Sequence, residues 1–237
     1  MKSPFTPPEG HACIKVVQSF DELVSTPLAG GVNALCWPRM LAGDFDEIVA
    51  KLGLIEEITS LDEDDLRALV LSPAGRAARD VLIEDQRRLR AAGLSPSLDC
   101  IPAYPRDDAA GPVPIDVYSF HADSATVVAD TYLCSYTVAS SEGLRNEDAR
   151  RCVDIPETRA ELLRLHGGPD DESFRVFLSE HFYDLHYVAV PHARPFSFGL
   201  GNLWRIATEC PGSPVPPCVH RAPATSVDQP PRLLLIS

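Results

Sequence analysis

A chain of 237 residues is long enough for one large domain, or for a domain with a substantial extension. Its composition, 45% hydrophobic and 23% charged, is that of ordinary globular material rather than a disordered or fibrous chain. The net charge of −13 argues against a nucleic-acid partner, whose phosphates need a basic footprint, and against an anionic membrane surface. The expected partner is therefore a small molecule; the oligomeric state stays open. Seven scattered cysteines with no Cys-x-x-Cys pair read as thiols kept reduced in a cytoplasm. The opening residues Met1 to Pro8 lack the apolar run of a signal peptide, and no stretch reaches the roughly twenty apolar residues of a membrane span.

In chain order, residues 1–11 are expected to form a loose tail. Ile14 to Val17 reads as a short strand, Asp21 to Leu23 as a turn of helix, and Ala29 to Trp37 as a turn leading into a strand. Phe45 to Leu52 carries apolar residues at helical spacing and stops at Gly53. Ser60-Leu-Asp-Glu63 has the form of a capping box for a helix over Asp62 to Leu71. Ser72-Pro73 opens the longest helix, which runs to about Ala92 and stops at Gly93, with Val81, Leu82 and Leu89 as its packing stripe.

From Leu98 onward the period becomes that of strands. Ile115 to Asp123 reads as a strand after the Gly111-Pro112 breaker, and Thr131 to Tyr136 as another, so that 113–138 should give a hairpin or a strand pair. Asn146 to Ala149 and Glu157 to Leu165 look helical, and Phe174 to Leu178 is too short to assign. Leu185 to Val190 and Phe196 to Ile206 read as strands, the latter broken at Gly199 and Gly201. A proline-rich stretch over Pro214 to Cys218 leads to Val219-His220. A polar turn over Ala224 to Gln229 precedes the short apolar strand Arg232 to Ile236. The expected organisation is a single α+β domain over 1–237. Its first hundred residues form a mainly helical brace, and residues 101–237 form a β core.

The chemistry lies in four residues. His121-Ala122-Asp123 is the one His-x-Asp/Glu in the chain. Residues i and i+2 of a strand share a face, so His121 and Asp123 should project together. His220 follows, and Arg232 comes twelve residues later. Two imidazoles and a carboxylate cap one face of an octahedral Fe(II) and leave the other face open. A charged residue at the head of a core strand is costly unless paired, and Arg232 would gain a bidentate partner in the far carboxylate of a bound 2-oxoacid.

This order resembles the iron(II)/2-oxoglutarate-dependent oxygenase superfamily: His-x-Asp/Glu, a distal His, then Arg or Lys ten to fourteen residues on. The C-terminal piece is similar to an uncharacterised bacterial family with Phe-His-x-Asp, a Tyr-bearing strand, His-Arg-Ser-Pro and a final Arg-Leu-Leu-Leu. The matching residues are Phe120-His121-Ala122-Asp123, Thr131 to Tyr136, His220-Arg221-Ala222-Pro223 and Arg232-Leu233-Leu234-Leu235. The likeness covers about residues 115–237, with weaker echoes in Val32 to Trp37. Ala222 stands where the family has Ser, and Val138-Ala-Ser-Ser-Glu142 replaces its Gly-Pro-Gly. There is a weaker likeness to oxygenases that tailor amino acids in natural-product pathways.

The resemblance implies a double-stranded β-helix, or jelly roll, with Fe(II) on His121, Asp123 and His220. It implies 2-oxoglutarate as cosubstrate held by Arg232, with Tyr132 or Tyr136 donating a hydroxyl to it, and O2 at the remaining position. A small polar substrate, an amino acid or derivative, would lose a hydrogen atom, with hydroxylation, desaturation or ring closure as the outcome. Arg205 and Arg221 are candidates to receive a substrate carboxylate; Arg221 is equally placed to orient Asp123. Two rivals stand beside this reading. One is a metal site on His181 and His186 with His192 nearby, although a five-residue spacing turns the first two to opposite faces of a strand. The other is a non-catalytic jelly-roll binding protein. No Gly-x-Ser-x-Gly elbow or phosphate loop supports a hydrolase or nucleotide enzyme.

Overall fold

The caps of the first hundred residues set the helices. A computed structural model describes residues 5–107, 111–225 and 229–237. α1 (Phe20–Ser25) is capped by Ser19, α2 (Phe45–Leu52) by Asp44, and α4 (Pro73–Ala91) by Ser72 with Pro73 in its first turn. The capping box of α3 (Glu63–Ala68) is built on Asp62 and Asp65, not on Ser60 and Glu63. Ser60 is drawn off into a short strand, where its hydroxyl donates to Asp99. α5 (Pro156–His166) ends at the left-handed Gly167, and α6 (Glu172–Glu180) fills the stretch that sequence left unassigned. Residues 1–4 of the expected tail and 226–228 of the expected turn lie outside the described residues.

Among the described residues thirteen strands form two sheets. The larger has the order β1 (Ile14–Val16), β2 (Ala34–Trp37), β11 (Leu203–Ala207), β6 (Asp130–Ser135), β13 (Arg232–Ile236), β4 (Ser97–Ile101), β3 (Thr59–Ser60). The smaller has the order β10 (Phe196–Ser197), β7 (Glu142–Leu144), β12 (Val219–Arg221), β5 (Phe120–His121), β9 (His186–Ala189), β8 (Ala149–Arg151). Among these strands of the described residues, only the β1–β2 pair is parallel. The first hundred residues are thus more than a brace outside the core, since they supply strands β1, β2 and β3 and most of β4.

The alternation of each strand assigns its faces. Leu133 of β6, Trp204 and Ile206 of β11, and Leu234 of β13 pack with Phe196 and Phe198 from the other sheet, giving a core between the sheets. The opposite face of the large sheet carries Tyr132, Cys134, Leu203, Leu233 and Leu235, which pack on Leu23, Ile48, Leu66, Leu82 and Leu89 of α1 to α4. All seven cysteines are free thiols. No helix among the described residues is long and apolar enough to cross a membrane.

The strand expected over Ile115 to Asp123 is only two residues long. Asp116 accepts hydrogen bonds from the backbone N–H groups of Tyr118 and Ser119. That local turn outcompetes the ladder until Phe120.

Candidate metal centre

A row of inward-facing residues crosses the small sheet at one register level. Phe196 pairs with Gly143, Gly143 with His220, His220 with His121, and His121 with His186. Directly opposed residues on neighbouring strands project to one face. Residues ninety-nine apart in sequence thereby bring their imidazoles together, with the centroids of the His121 and His220 rings 4.7 Å apart. Asp123, just beyond β5, completes the group. Its carboxylate stands 3.9 Å from His121 Nε2 and 3.8 Å from His220 Nε2.

The imidazoles are oriented by backbone. His121 Nδ1–H donates to the Ser119 carbonyl at 2.8 Å, and His220 Nδ1–H to the Cys218 carbonyl at 3.2 Å. A proton on Nδ1 leaves the Nε2 lone pair free, which is the state a metal requires. Burial, helped by the neighbouring His220, pushes the His121 imidazole down to about 4, so it is neutral at pH 7. Burial alone would raise Asp123, but His220, the Thr131 hydroxyl and His121 outweigh it and hold the carboxyl below its ordinary value. Thr131 Oγ1 donates to Asp123 Oδ2 at 2.6 Å and fixes the carboxylate.

One ligand atom from each of the three residues lies within 4.8 Å of the others, and among the described residues no other such group of three forms. Two cis ligands at about 2.1 Å from a metal stand roughly 3 Å apart. A contraction of about 1 Å therefore closes the set on an ion, and three ligands leave positions free. The donor set fits Fe(II).

Gly143 makes the row possible. A Cβ there would strike the Phe196 ring and would come 2.7 Å from Phe198, whose ring stacks on His220 at 6.3 Å. Gly143→Ala is therefore expected to destabilise the protein by roughly 1–3 kcal/mol through overpacking. It should also weaken metal binding about tenfold by displacing His220. Denaturant unfolding beside metal titration checks both, and unchanged metal affinity would refute the coupling.

Arg232 heads β13 on the same inward face as Leu234, and it is 3% exposed. Its Nη2 donates to Ser135 Oγ at 2.7 Å and Ser141 Oγ at 2.8 Å, and its Nη1 to the Tyr104 hydroxyl at 3.4 Å. Its Nε has no partner, and no carboxylate pairs with it among the described residues. Burial pushes this guanidinium below its ordinary value. Ser141 and Gly143 lie two residues apart on one strand face, about 7 Å. Gly143 in turn opposes His220, so the serine that receives the unpaired cation and the glycine beside the metal ligands belong to one stretch of chain.

Other expected site residues lie elsewhere. Tyr132 and Tyr136 face the helices, not the space between the sheets. Tyr136 stacks on Phe45 and donates its hydroxyl to Asp85, while Tyr132 packs beneath the Arg205 guanidinium. Arg205 shares that face, pairs with Asp130 and donates to the carbonyls of Leu23, Val24 and Thr26. Arg221 projects to the outer side of the small sheet, over the Phe120 ring, and pairs with its cross-strand neighbour Glu142. It touches neither Asp123 nor the space between the sheets. All four placements follow from strand parity, since each residue is one step out of phase with the inward row.

His181 and His186 do not form a second centre. His181 is exposed, stacks on Tyr183 and donates to the Phe177 carbonyl, whereas His186 is buried beside His121. Sequence reasoning passed over Thr131, Ser135, Ser141 and Tyr104. The parity of Thr131 and Ser135 on β6 was the one signal that could have found two of them. The chain matches no known family, no curated protein and no solved structure.

Proposed function

We propose that this protein is a non-haem Fe(II)/2-oxoglutarate-dependent oxygenase of a small polar substrate, built on a jelly roll. The strand order supports the fold. Numbered one to eight along the chain, β4, β5, β6, β7, β10, β11, β12 and β13 give sheet orders 1-8-3-6 and 5-4-7-2. That is the interleaving expected of two Greek keys closed face to face.

The observation that carries the function is Arg232. A His-His-Asp group alone suits several divalent ions. A guanidinium buried without an anion, two serine hydroxyls on one nitrogen and its Nε unfilled, is a costly arrangement in the free protein. It is repaid when a carboxylate arrives, and Ser141, which receives the guanidinium, is two residues from Gly143, the cross-strand neighbour of His220. His121, Asp123 and His220 would hold Fe(II), and Arg232 with Ser135 and Ser141 would hold the distal carboxylate of 2-oxoglutarate. When bound, the iron with its cosubstrate and O2 supplies abstraction of a hydrogen atom from an unactivated C–H bond. Hydroxylation converts R–H, O2 and 2-oxoglutarate to R–OH, succinate and CO2. The chain's own part is to keep the His121 imidazole neutral, to fix the carboxylate through Thr131, and to orient the cosubstrate end to end.

The test is anaerobic titration of the metal-free protein with Fe(II) and 2-oxoglutarate. A weak visible charge-transfer band that needs both components is expected. Metal uptake with no response to 2-oxoglutarate would leave a metalloprotein of another kind. No uptake by the folded protein would refute the centre itself.

A further inference from the structure

The third imidazole of the row has no use in the reading so far. His186 opposes His121 across β5 and β9, with ring centroids 5.8 Å apart, and it is 5% exposed. Its Nδ1–H donates to the Phe182 carbonyl at 2.9 Å, which leaves Nε2 with a lone pair and no hydrogen-bond partner among the described residues. It stays outside the group of atoms close enough to share one ion. Instead it lines a pocket of about 290 Å³ together with His121, Asp123 and the apolar side chains of Ile115, Val117 and Leu185. A second recess, of about 600 Å³, adjoins it through Ser124, Phe182 and Leu185.

Among the described residues neither recess is lined by a lysine or arginine, while Asp116 and Asp184 line them beside Asp123; Glu209, also in the lining, is paired with Arg151. Asp184 Oδ1 is buried without a hydrogen bond. An acceptor lone pair on a nine-tenths-buried ring, apolar walls and the carboxylates of Asp116 and Asp184 together select a cation with N–H donors and an aliphatic body. The selecting residues Phe182, Leu185 and His186 come from the segment between β7 and β10 that carries β8, α5, α6 and β9. That segment packs its last strand directly beside the metal-bearing β5. Phe182 holds a left-handed φ of 59° at the pocket wall, where its carbonyl orients His186.

We propose that His186 is a substrate-positioning residue whose Nε2 accepts a hydrogen bond from the ammonium group of a small aliphatic amine or amino acid held at the open side of the metal. The proposal rests on the metal-site reading above. It adds the substrate class and the group that recognises it. A site built around such an acceptor discriminates strongly against the analogue that lacks the donor.

The experiment uses Co(II) as the metal and its visible spectrum as the reporter. Wild type, His186→Phe and His186→Gln are loaded with Co(II), then titrated with valine, leucine and isoleucine, and with the matching acids in which hydrogen replaces the α-amine. Expected are equal Co(II) affinities in all three proteins and a spectral response to at least one amino acid but not to its deaminated twin. That response should be weakened tenfold or more in His186→Phe and partly retained in His186→Gln, whose side-chain carbonyl still accepts. Equal binding of amine and twin, no response to any compound, or equal binding by wild type and His186→Phe would each overturn the proposal alone. Loss of Co(II) with His186→Phe would overturn it by making His186 a ligand. Failure of wild type to take up Co(II) would sink the metal-site reading as well.

Discussion

Replacing His220 with alanine is expected to weaken Fe(II) binding at least a hundredfold while the protein stays folded. Loss of a hydrogen-bond partner of a metal ligand commonly costs ten- to a hundredfold, so loss of a ligand should cost no less. The fold should survive because the change empties part of a packed but small volume. His220 stacks on Phe198 and is 7% exposed, and truncating a buried ring costs about 3–5 kcal/mol at most. A domain's stability is typically about 5–15 kcal/mol. Anaerobic calorimetric titration with Fe(II), beside a circular dichroism melt, separates the two effects. A folded variant with wild-type affinity would remove His220 from the centre and dissolve the triad.

Arg232→Met should produce an opposite pair of changes. Affinity for 2-oxoglutarate in the presence of iron should fall by about 2–5 kcal/mol, the usual cost of truncating one partner of a buried charge pair, which is some thirtyfold to several thousandfold. The metal-free protein, in contrast, should lose little stability. Methionine removes a buried cation that has no counter-ion, and it leaves the Ser135 and Ser141 hydroxyls without their shared donor, at about 1 kcal/mol each. These contributions oppose each other. Breaking an established internal ion pair would instead cost about 3–5 kcal/mol. Denaturation of both proteins without ligand therefore reports whether Arg232 waits for an anion. A large loss of apo-stability would mean that it already has a partner, and the dicarboxylate argument would fall.

Much of the helical half was legible because its signals are local. Asp44 and Ser72 satisfy the first backbone N–H groups of the helices they precede, whatever the rest of the chain does. Ser60 misled because its hydroxyl had a second choice, Asp99, visible only once β3 and β4 pair. The strand reading through Ile115 failed similarly: Asp116 binds its own neighbours, a competition that β propensity does not register.

At the site, the sequence by itself determined that His121 and Asp123 project together and that a charged residue heads the last core strand. Period-two geometry and the cost of burial are properties of short segments. Tertiary structure alone decided the rest. It set His220 opposite His121 and His186 on its other side, a register between strands from remote parts of the chain. It also decided that Tyr132, Tyr136, Arg205 and Arg221 face away while Ser135, Ser141 and Tyr104 receive Arg232. Alternation along a strand separates its two faces but cannot say which of them is inside; that follows only from what packs against each face, here helices on one side of the large sheet and a second sheet on the other.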